Sequence, residues 1–308
     1  MKAYQIHHFG GPEALQESEV EIPALSDGEV CVKVHAASIN PVDFKTRSGE
    51  YPAVQADKLP LTLGRDFAGI VDTSESPLWQ VGDKVFGFVG QGQGALAEYV
   101  KVHADALAAL PRTIGNAGAA AVALAGLTAW QGIFDHGQLK AGQRILIHAA
   151  AGGVGHLAVQ FAKWQGAYVY ATASADSMEF VRSLGADHVI DYKKERFEDV
   201  VGDVDVVFDT MGGETQQRSW GVLKQGGALV STLSEPSQDE AGRREVRAMR
   251  YTARPDGKQL TEIGHLMDEG KVRVEIVETY DFAVVPAALA RVEAGHVHGK
   301  VVVTTSVT

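Results

Sequence analysis

The sequence predicts an α/β fold in two domains, one β-rich and one a doubly wound parallel sheet, and three observations carry that expectation. The chain has 308 residues, roughly twice the usual single-domain length. Its first part reads as short strands punctuated by Gly and Pro. From about Ala117 apolar strands alternate with amphipathic helices, before strand-like runs of the first kind return near the end.

In the first part the strand runs are Val30–Val34, Ala68–Val71, Lys84–Phe88 and Glu98–Val102. Val30, Val32 and Val34 alternate with Cys31 and Lys33, the period-2 pattern of a partly buried antiparallel strand. An Ala-rich helix is expected over Gly118–Phe134. Strands follow at Arg144–His148, Tyr168–Thr172, His188–Ile190, Val204–Phe208 and Ala228–Ser231, which with helices between them build βαβ units and a parallel sheet covered on both faces. Val272–Val277 and Lys300–Thr304 read as strands around a helix near Ala283–Ala294. The simplest arrangement inserts the α/β unit into the β-rich one, giving residues 1–115 completed by 270–308, and a separate domain over 116–269.

Composition narrows the function classes. Hydrophobic content of 45%, charged content of 22% and 34 glycines describe an ordinary globular chain. A formal net charge of −11 repels polyphosphate, so nucleic acid is not an expected partner. The densest basic cluster, Arg243, Arg244, Arg247 and Arg250 interrupted by Glu245, reads as a solvated helix face. No apolar segment approaches the roughly 20 residues of a membrane span. The start, Met1–Ile6, runs into strand-like sequence without a secretory pattern, and the single cysteine, Cys31, excludes an intrachain disulfide. A cytoplasmic location without membrane association is the expectation.

After the strand ending at His148 come Ala149-Ala150-Ala151-Gly152-Gly153-Val154-Gly155 and a helix-compatible run, His156–Lys163. Gly152 and Gly155 take the second and third positions of G-x-G-x-x-G, where a side chain would block a pyrophosphate or the helix–strand contact, and Ala150 replaces the first. The helix start supplies N–H groups and a positive dipole end, so Ala151, Gly152, Gly153, Val154 and Gly155 are candidate phosphate-binding residues. The next strand ends in Thr172-Ala173-Ser174 where NAD readers place a carboxylate; small hydroxyls can donate to a 2′-phosphate, which favours NADPH. Ser177 and Met178 stand where a Lys would serve as its cationic partner, and Tyr192, Lys193 and Lys194 are the nearest alternatives. Tyr192 fits an ordinary strand-end aromatic equally well. Leu233, after the last strand of the series, completes the cofactor-binding set.

With these motifs in place the sequence resembles, over essentially its whole length, the zinc-free quinone oxidoreductase branch of the medium-chain dehydrogenase/reductase superfamily. The matching pieces include Ser38–Asp43, Gly49-Glu50-Tyr51-Pro52, Val81–Val85, Ala125–Ala129, Ala149–Gly155, Ser183–Asp187, Asp209–Gly213 and Gly295–Val301. The resemblance implies a GroES-like catalytic domain, a Rossmann domain, NADPH in the cleft between them, and frequently a homodimer. It also implies reduction of quinones or α,β-unsaturated carbonyl compounds.

Zinc-dependent alcohol dehydrogenases of the superfamily place Cys where this chain has Asn40, and Gly-His-Glu where it has Gly64-Arg65-Asp66. Those enzymes also often carry four cysteines for a second, structural zinc; with one cysteine and Arg65 in place of the imidazole, neither site can be built here in the usual way, so a metal-polarised route loses its Lewis acid. His7, His8, His296 and His298 lack a partnering ligand set. Reduction without metal needs orientation, donors for the developing enolate oxygen and a proton source. Asn40 is the expected neutral donor, or else a turn residue before Pro41; Tyr51 is the expected proton donor, or else a loop aromatic. The resemblance places Thr128 beside the nicotinamide, with a helical Thr bonded to a preceding carbonyl as the alternative. Lys300 is expected to reach the cofactor or to be a charged edge-strand residue. Asp43 supports the loop. A non-catalytic NADPH-binding protein and a zinc-dependent alcohol dehydrogenase are the competing function classes.

Overall fold

β-branched residues set between turn glycines shape the first part of the chain into strands. The structure, a computed structural model, describes residues 1–90 and 92–305. In chain order it has β1 (Lys2–Ile6), β2 (Leu15–Glu19), β3 (Glu29–Ile39), α1 (Pro41–Ser48), β4 (Leu61–Thr62), β5 (Asp66–Ser74), β6 (Lys84–Phe88), β7 (Tyr99–His103), β8 (Leu107–Ala109) and α2 (Asn116–Trp130). The middle holds β9 (Arg144–Ile147), α3 (Gly155–Trp164), β10 (Tyr168–Ala173), α4 (Met178–Ser183), β11 (His188–Asp191), β12 (Val204–Asp209), α5 (Gly213–Ser219), β13 (Leu223–Ser231), α6 (Gln238–Arg244) and β14 (Arg247–Arg250). The chain ends with α7 (Gly257–Asp268), β15 (Ile276–Asp281), α8 (Val285–Glu293) and β16 (Lys300–Thr304).

Two compact units emerge. The first comprises Met1–Leu124, Arg254–Gly270 and the chain from Val274 onward; the second comprises Ala125–Ala253 and Lys271–Arg273. In the first, the main sheet runs β15-β16-β3-β5-β6-β8 with β7 also on β3, and a small sheet runs β2-β1-β4. The C-terminal β16 lies antiparallel on β3 with Val301 opposite Ile39, while β5 lies on the other side of β3 with Asp66 opposite Ser38. The second unit is one six-stranded parallel sheet, β11-β10-β9-β12-β13-β14, with buried Leu146, Val207 and Leu229 in its core.

Four expectations change. The expected boundary at 269 puts α7 in the second domain, yet Arg254–Gly270 clusters with the first. Gly257 lets α7 press against β8, since a Cβ there would lie 2.2 Å from the Leu107 carbonyl oxygen. The expected strand at Val272–Val277 begins only at Ile276, because the Gln160 side chain brackets the Arg273 backbone: its amide donates to Arg273 O at 2.9 Å and its oxygen accepts from Arg273 N–H at 2.9 Å. The arginine cluster is not one helix face. Glu245, at φ 52°, ends α6 in the left-handed region, and Arg247–Arg250 form the edge strand β14. Finally, helix 116–136, which is α2 plus a π-helical turn at Gln131–His136, is long and apolar enough to cross a membrane, where no such segment was expected. Most of its apolar window is buried inside the protein, as befits a core helix built from alanines.

Candidate functional site

In the second unit β9 runs out at His148 and the chain reverses through Ala149, which sits in the left-handed region at φ 50°. Main-chain bonds fix the turn: Ala150 N–H donates to Thr172 O at 3.0 Å, Gly152 N–H to Ala149 O at 3.0 Å, and His156 N–H to Gly152 O at 3.0 Å. A Cβ on Gly155 would lie 2.2 Å from Ala149 O and 2.8 Å from Ala150 Cα, so only glycine permits this approach of helix to strand. A Cβ on Gly152 would meet only Ala149 O, at 3.3 Å, so its outer side is open. α3 starts there without a side-chain cap, leaving its positive dipole end for an anion. These residues fit a pyrophosphate.

The remaining residues expected to hold the nucleotide divide. Thr172 is 4% exposed, and its hydroxyl is engaged inward by His148 Nδ1 at 3.2 Å and Ala149 N–H at 3.3 Å, so it is not presented at the strand end. Ser174 is half-buried with its hydroxyl 2.9 Å from that of Ser177. Tyr192 N–H donates to Ala173 O at 3.2 Å, which brings the exposed Tyr192 ring next to the strand end. Lys193 Nζ stands 5.9 Å from the centroid of that ring, whereas Lys194 pairs with Asp191 at 3.6 Å. The exposed Leu233 gives its carbonyl to Arg250 Nε at 3.1 Å, a neighbour that a helical reading of the arginine cluster could not supply. Thr128, half-buried on α2, accepts the Tyr251 hydroxyl at its carbonyl, and burial raises that tyrosine well above the usual phenol pKa.

In the first unit, strand register assembles a buried polar cluster. Asn40 is 5% and Lys300 3% exposed. Lys300 Nζ donates to Asn40 Oδ1 at 2.5 Å and to Ile39 O at 3.3 Å. Asn40 Nδ2 donates to Asp66 Oδ2 at 3.2 Å and to Ser38 O at 3.3 Å, and Asp66 Oδ1 accepts from the Ser38 hydroxyl at 2.8 Å. An ammonium can only donate and a carboxylate only accept, so the orientation of the Asn40 carboxamide is dictated by its partners. Both of its N–H groups are engaged, which corrects the expectation of Asn40 as the free donor. Lys300 has three N–H groups and gives two to these partners. Burial lowers the Lys300 pKa while Asp66 and Asp43 hold it up, and burial raises Asp66 against the pull of Lys300.

Asp43 Oδ2 accepts the Asn40 N–H at 2.7 Å at the start of α1, which gives it the supporting role expected. Its other oxygen has no hydrogen-bond partner among the described residues, and burial pushes its carboxyl up to about 7. Tyr51, half-buried, has the Arg65 guanidinium 5.6 Å from its ring centroid. Among the described residues no group of three or more His, Cys, Asp or Glu side chains is placed to hold a metal ion.

Comparison with known proteins agrees with this fold. Residues 26–112 match the alcohol dehydrogenase GroES-like domain, and residues 184–303 match the zinc-binding dehydrogenase family. The chain is 36% identical to the NADPH-dependent alkenal/one oxidoreductase, chloroplastic, of Arabidopsis thaliana, over 98% of this chain and 79% of that protein. The solved quinone oxidoreductase from Coxiella burnetii superposes with a TM-score of 0.90 at 36% identity, covering 99% of each chain. The Escherichia coli quinone oxidoreductase complexed with NADPH gives 0.89 at 28% identity, covering 99% of this chain and 100% of that one. Fold and site together are those of an oxidoreductase with a GroES-like unit and a Rossmann unit. The chain belongs to the zinc-free quinone oxidoreductase branch of the medium-chain dehydrogenase/reductase superfamily.

Proposed function

We propose that this oxidoreductase reduces a quinone or an α,β-unsaturated carbonyl compound with NADPH and without metal. The observation that carries the reading is the buried Lys300 ammonium, which donates to Asn40, the residue standing where zinc enzymes of the superfamily place a cysteine, while Asn40 in turn donates to Asp66. NADPH, when bound, supplies the hydride. Its pyrophosphate is assigned to Ala151–Gly155, and its 2′-phosphate to Ser174, Tyr192 and Lys193. Thr128, Leu233 and Lys300 complete the proposed cofactor contacts, and Thr172 shapes the turn from below.

Charge that builds on a carbonyl oxygen during reduction needs a donor in a low-dielectric setting. Lys300 is proposed for that task, through the N–H that Ile39 and Asn40 leave over, and Asn40 is the residue that aims it. Tyr51 is the proposed proton donor, its hydroxyl lacking a hydrogen-bond partner among the described residues. The names of the relatives support both substrate classes, and a cytoplasmic homodimer belongs to the same proposal. Stopped-flow oxidation of NADPH against a panel of quinones, enones, saturated aldehydes and alcohols tests it. Turnover confined to the quinones and enones is expected, and turnover of saturated substrates alone would refute it.

A further inference from the structure

Beneath the glycine turn, a row of polar groups in the second unit has hydrogen-bond directions that can be worked out one by one. His148, the residue after β9, is 1% exposed. Its Nε2 lies 2.9 Å from Ser219 Oγ, and its Nδ1 lies 3.2 Å from Thr172 Oγ1. Ser219 Oγ also lies 2.7 Å from the Thr215 carbonyl oxygen, which can only accept. The single hydroxyl proton of Ser219 therefore goes to Thr215, Ser219 must accept from His148, and Nε2 carries the ring proton. Burial keeps the ring neutral, with its pKa lowered to about 4 although Asp209 and Glu198 pull it upward. A neutral ring protonated at Nε2 has a lone pair on Nδ1, so the Thr172 hydroxyl donates to it. What remains on the Thr172 oxygen accepts the Ala149 N–H, at 3.3 Å.

We infer that His148 is a positioning residue for the dinucleotide turn: as the Nε2–H tautomer it turns the Thr172 hydroxyl inward, and Thr172 holds Ala149 in the left-handed conformation from which Ala150–Gly155 departs. The main chain of His148 is held on both sides: its backbone N–H donates to Phe208 O at 3.1 Å and its carbonyl accepts the Thr210 hydroxyl at 3.0 Å. The Phe197 ring closes the other side, edge-on at 4.9 Å between centroids. One consequence concerns specificity. The proton of Thr172 is taken by His148 and is not available to a 2′-phosphate, so discrimination between NADPH and NADH falls to Ser174, Tyr192 and Lys193. The inference rests on the reading that this turn binds a dinucleotide, and the test separates the two.

Four variants divide the row. Thr172→Val removes the hydroxyl and Thr172→Ser keeps it; His148→Asn keeps an acceptor near the Nδ1 position, and His148→Gln keeps a donor near Nε2. Calorimetric titration with NADP⁺ is expected to show affinity weakened about tenfold in Thr172→Val and His148→Gln, and held within about threefold in Thr172→Ser and His148→Asn. The NADP⁺ to NAD⁺ preference of Thr172→Val should match that of the parent. A role confined to fold stability would lower the unfolding midpoints of both His148 variants and leave the affinities of the folded proteins equal to the parent's, which would overturn the inference. Nitrogen NMR of histidine-labelled protein reads the tautomer without any nucleotide: a ring protonated only at Nε2 should vanish in His148→Asn, and a ring protonated at Nδ1 in its place would also overturn it. Failure of the parent to bind NADP⁺ would sink the dinucleotide reading and the positioning role together, and the NMR spectrum tells that failure from a mistaken hydrogen-bond direction.

Discussion

Lys300 Nζ stands 2.5 Å from Asn40 Oδ1, and the same carboxamide passes an N–H to Asp66 Oδ2 at 3.2 Å. The amide thus lies between a buried cation and a buried anion and is polarised by both, so removing either charge leaves the other uncompensated in a low-dielectric interior. Lys300→Met should lower kcat by about 10²-fold or more and destabilise the fold by about 3–5 kcal/mol. Lys300→Met combined with Asp66→Asn should recover most of the stability and none of the turnover. Denaturant melts and steady-state kinetics on the two variants check both halves, and recovery of turnover in the double variant would remove Lys300 from the chemistry.

Tyr51→Phe separates chemistry from packing. The hydroxyl has no hydrogen-bond partner among the described residues, so stability should change by less than about 0.5 kcal/mol. The loss of a proton donor should reduce turnover of an enone by about 10²-fold. Unchanged turnover would leave Tyr51 as a loop aromatic stacked under Arg65.

A carboxylate at the strand end repels a 2′-phosphate and accepts from a 2′-hydroxyl. Ser174→Asp should therefore shift kcat/KM from NADPH toward NADH by at least about tenfold, and Lys193→Glu should lower only the NADPH value. Equal losses with both cofactors in Lys193→Glu would assign the 2′-phosphate elsewhere.

Asp43 makes a signed prediction about pH. Its carboxyl sits at about 7 in the folded protein against an ordinary value of 3.8, so the native state holds the proton more tightly than the unfolded chain. The associated stabilisation is complete below about pH 4 and is lost as pH rises to 7, by up to about 1.4 kcal/mol per pH unit. Asp43→Asn keeps an oxygen for the Asn40 N–H and does not ionise. Its unfolding midpoint relative to the parent should climb between pH 4 and 7, and a constant difference across that range would show that Asp43 is ionised throughout.

At Gly155 the side chain of alanine would have to enter the 2.2 Å gap to Ala149 O. Gly155→Ala should cost about 1–3 kcal/mol, through a shift of α3 away from the turn. Thermal melts measure the cost, and nucleotide affinity should fall with it. A neutral substitution would mean that the helix can move freely.

The phosphate turn could be read from the sequence because all its parts are local: strand, glycines and helix follow one another between Arg144 and Trp164. The Lys300 cluster could not, since its members come from β16, β3 and β5, and only register brings Val301 opposite Ile39 and Asp66 opposite Ser38. The sequence offers Asn40 and Lys300 as separate candidates with no indication that one orients the other. Thr172 was legible as a small hydroxyl at the right strand end. The direction of its proton was not, because that depends on His148 and, through it, on Ser219, 71 residues away. The edge strand β14 was hidden for a related reason: four arginines look like a solvated face until Glu245 breaks the helix.

Metal-free reduction with NADPH is checked by kcat/KM for a conjugated enone or quinone with NADPH and with NADH, on protein treated exhaustively with a chelator. Turnover with NADPH should survive the treatment undiminished and exceed that with NADH by about tenfold or more. Activity that disappears with the chelator and returns with stoichiometric zinc would contradict it.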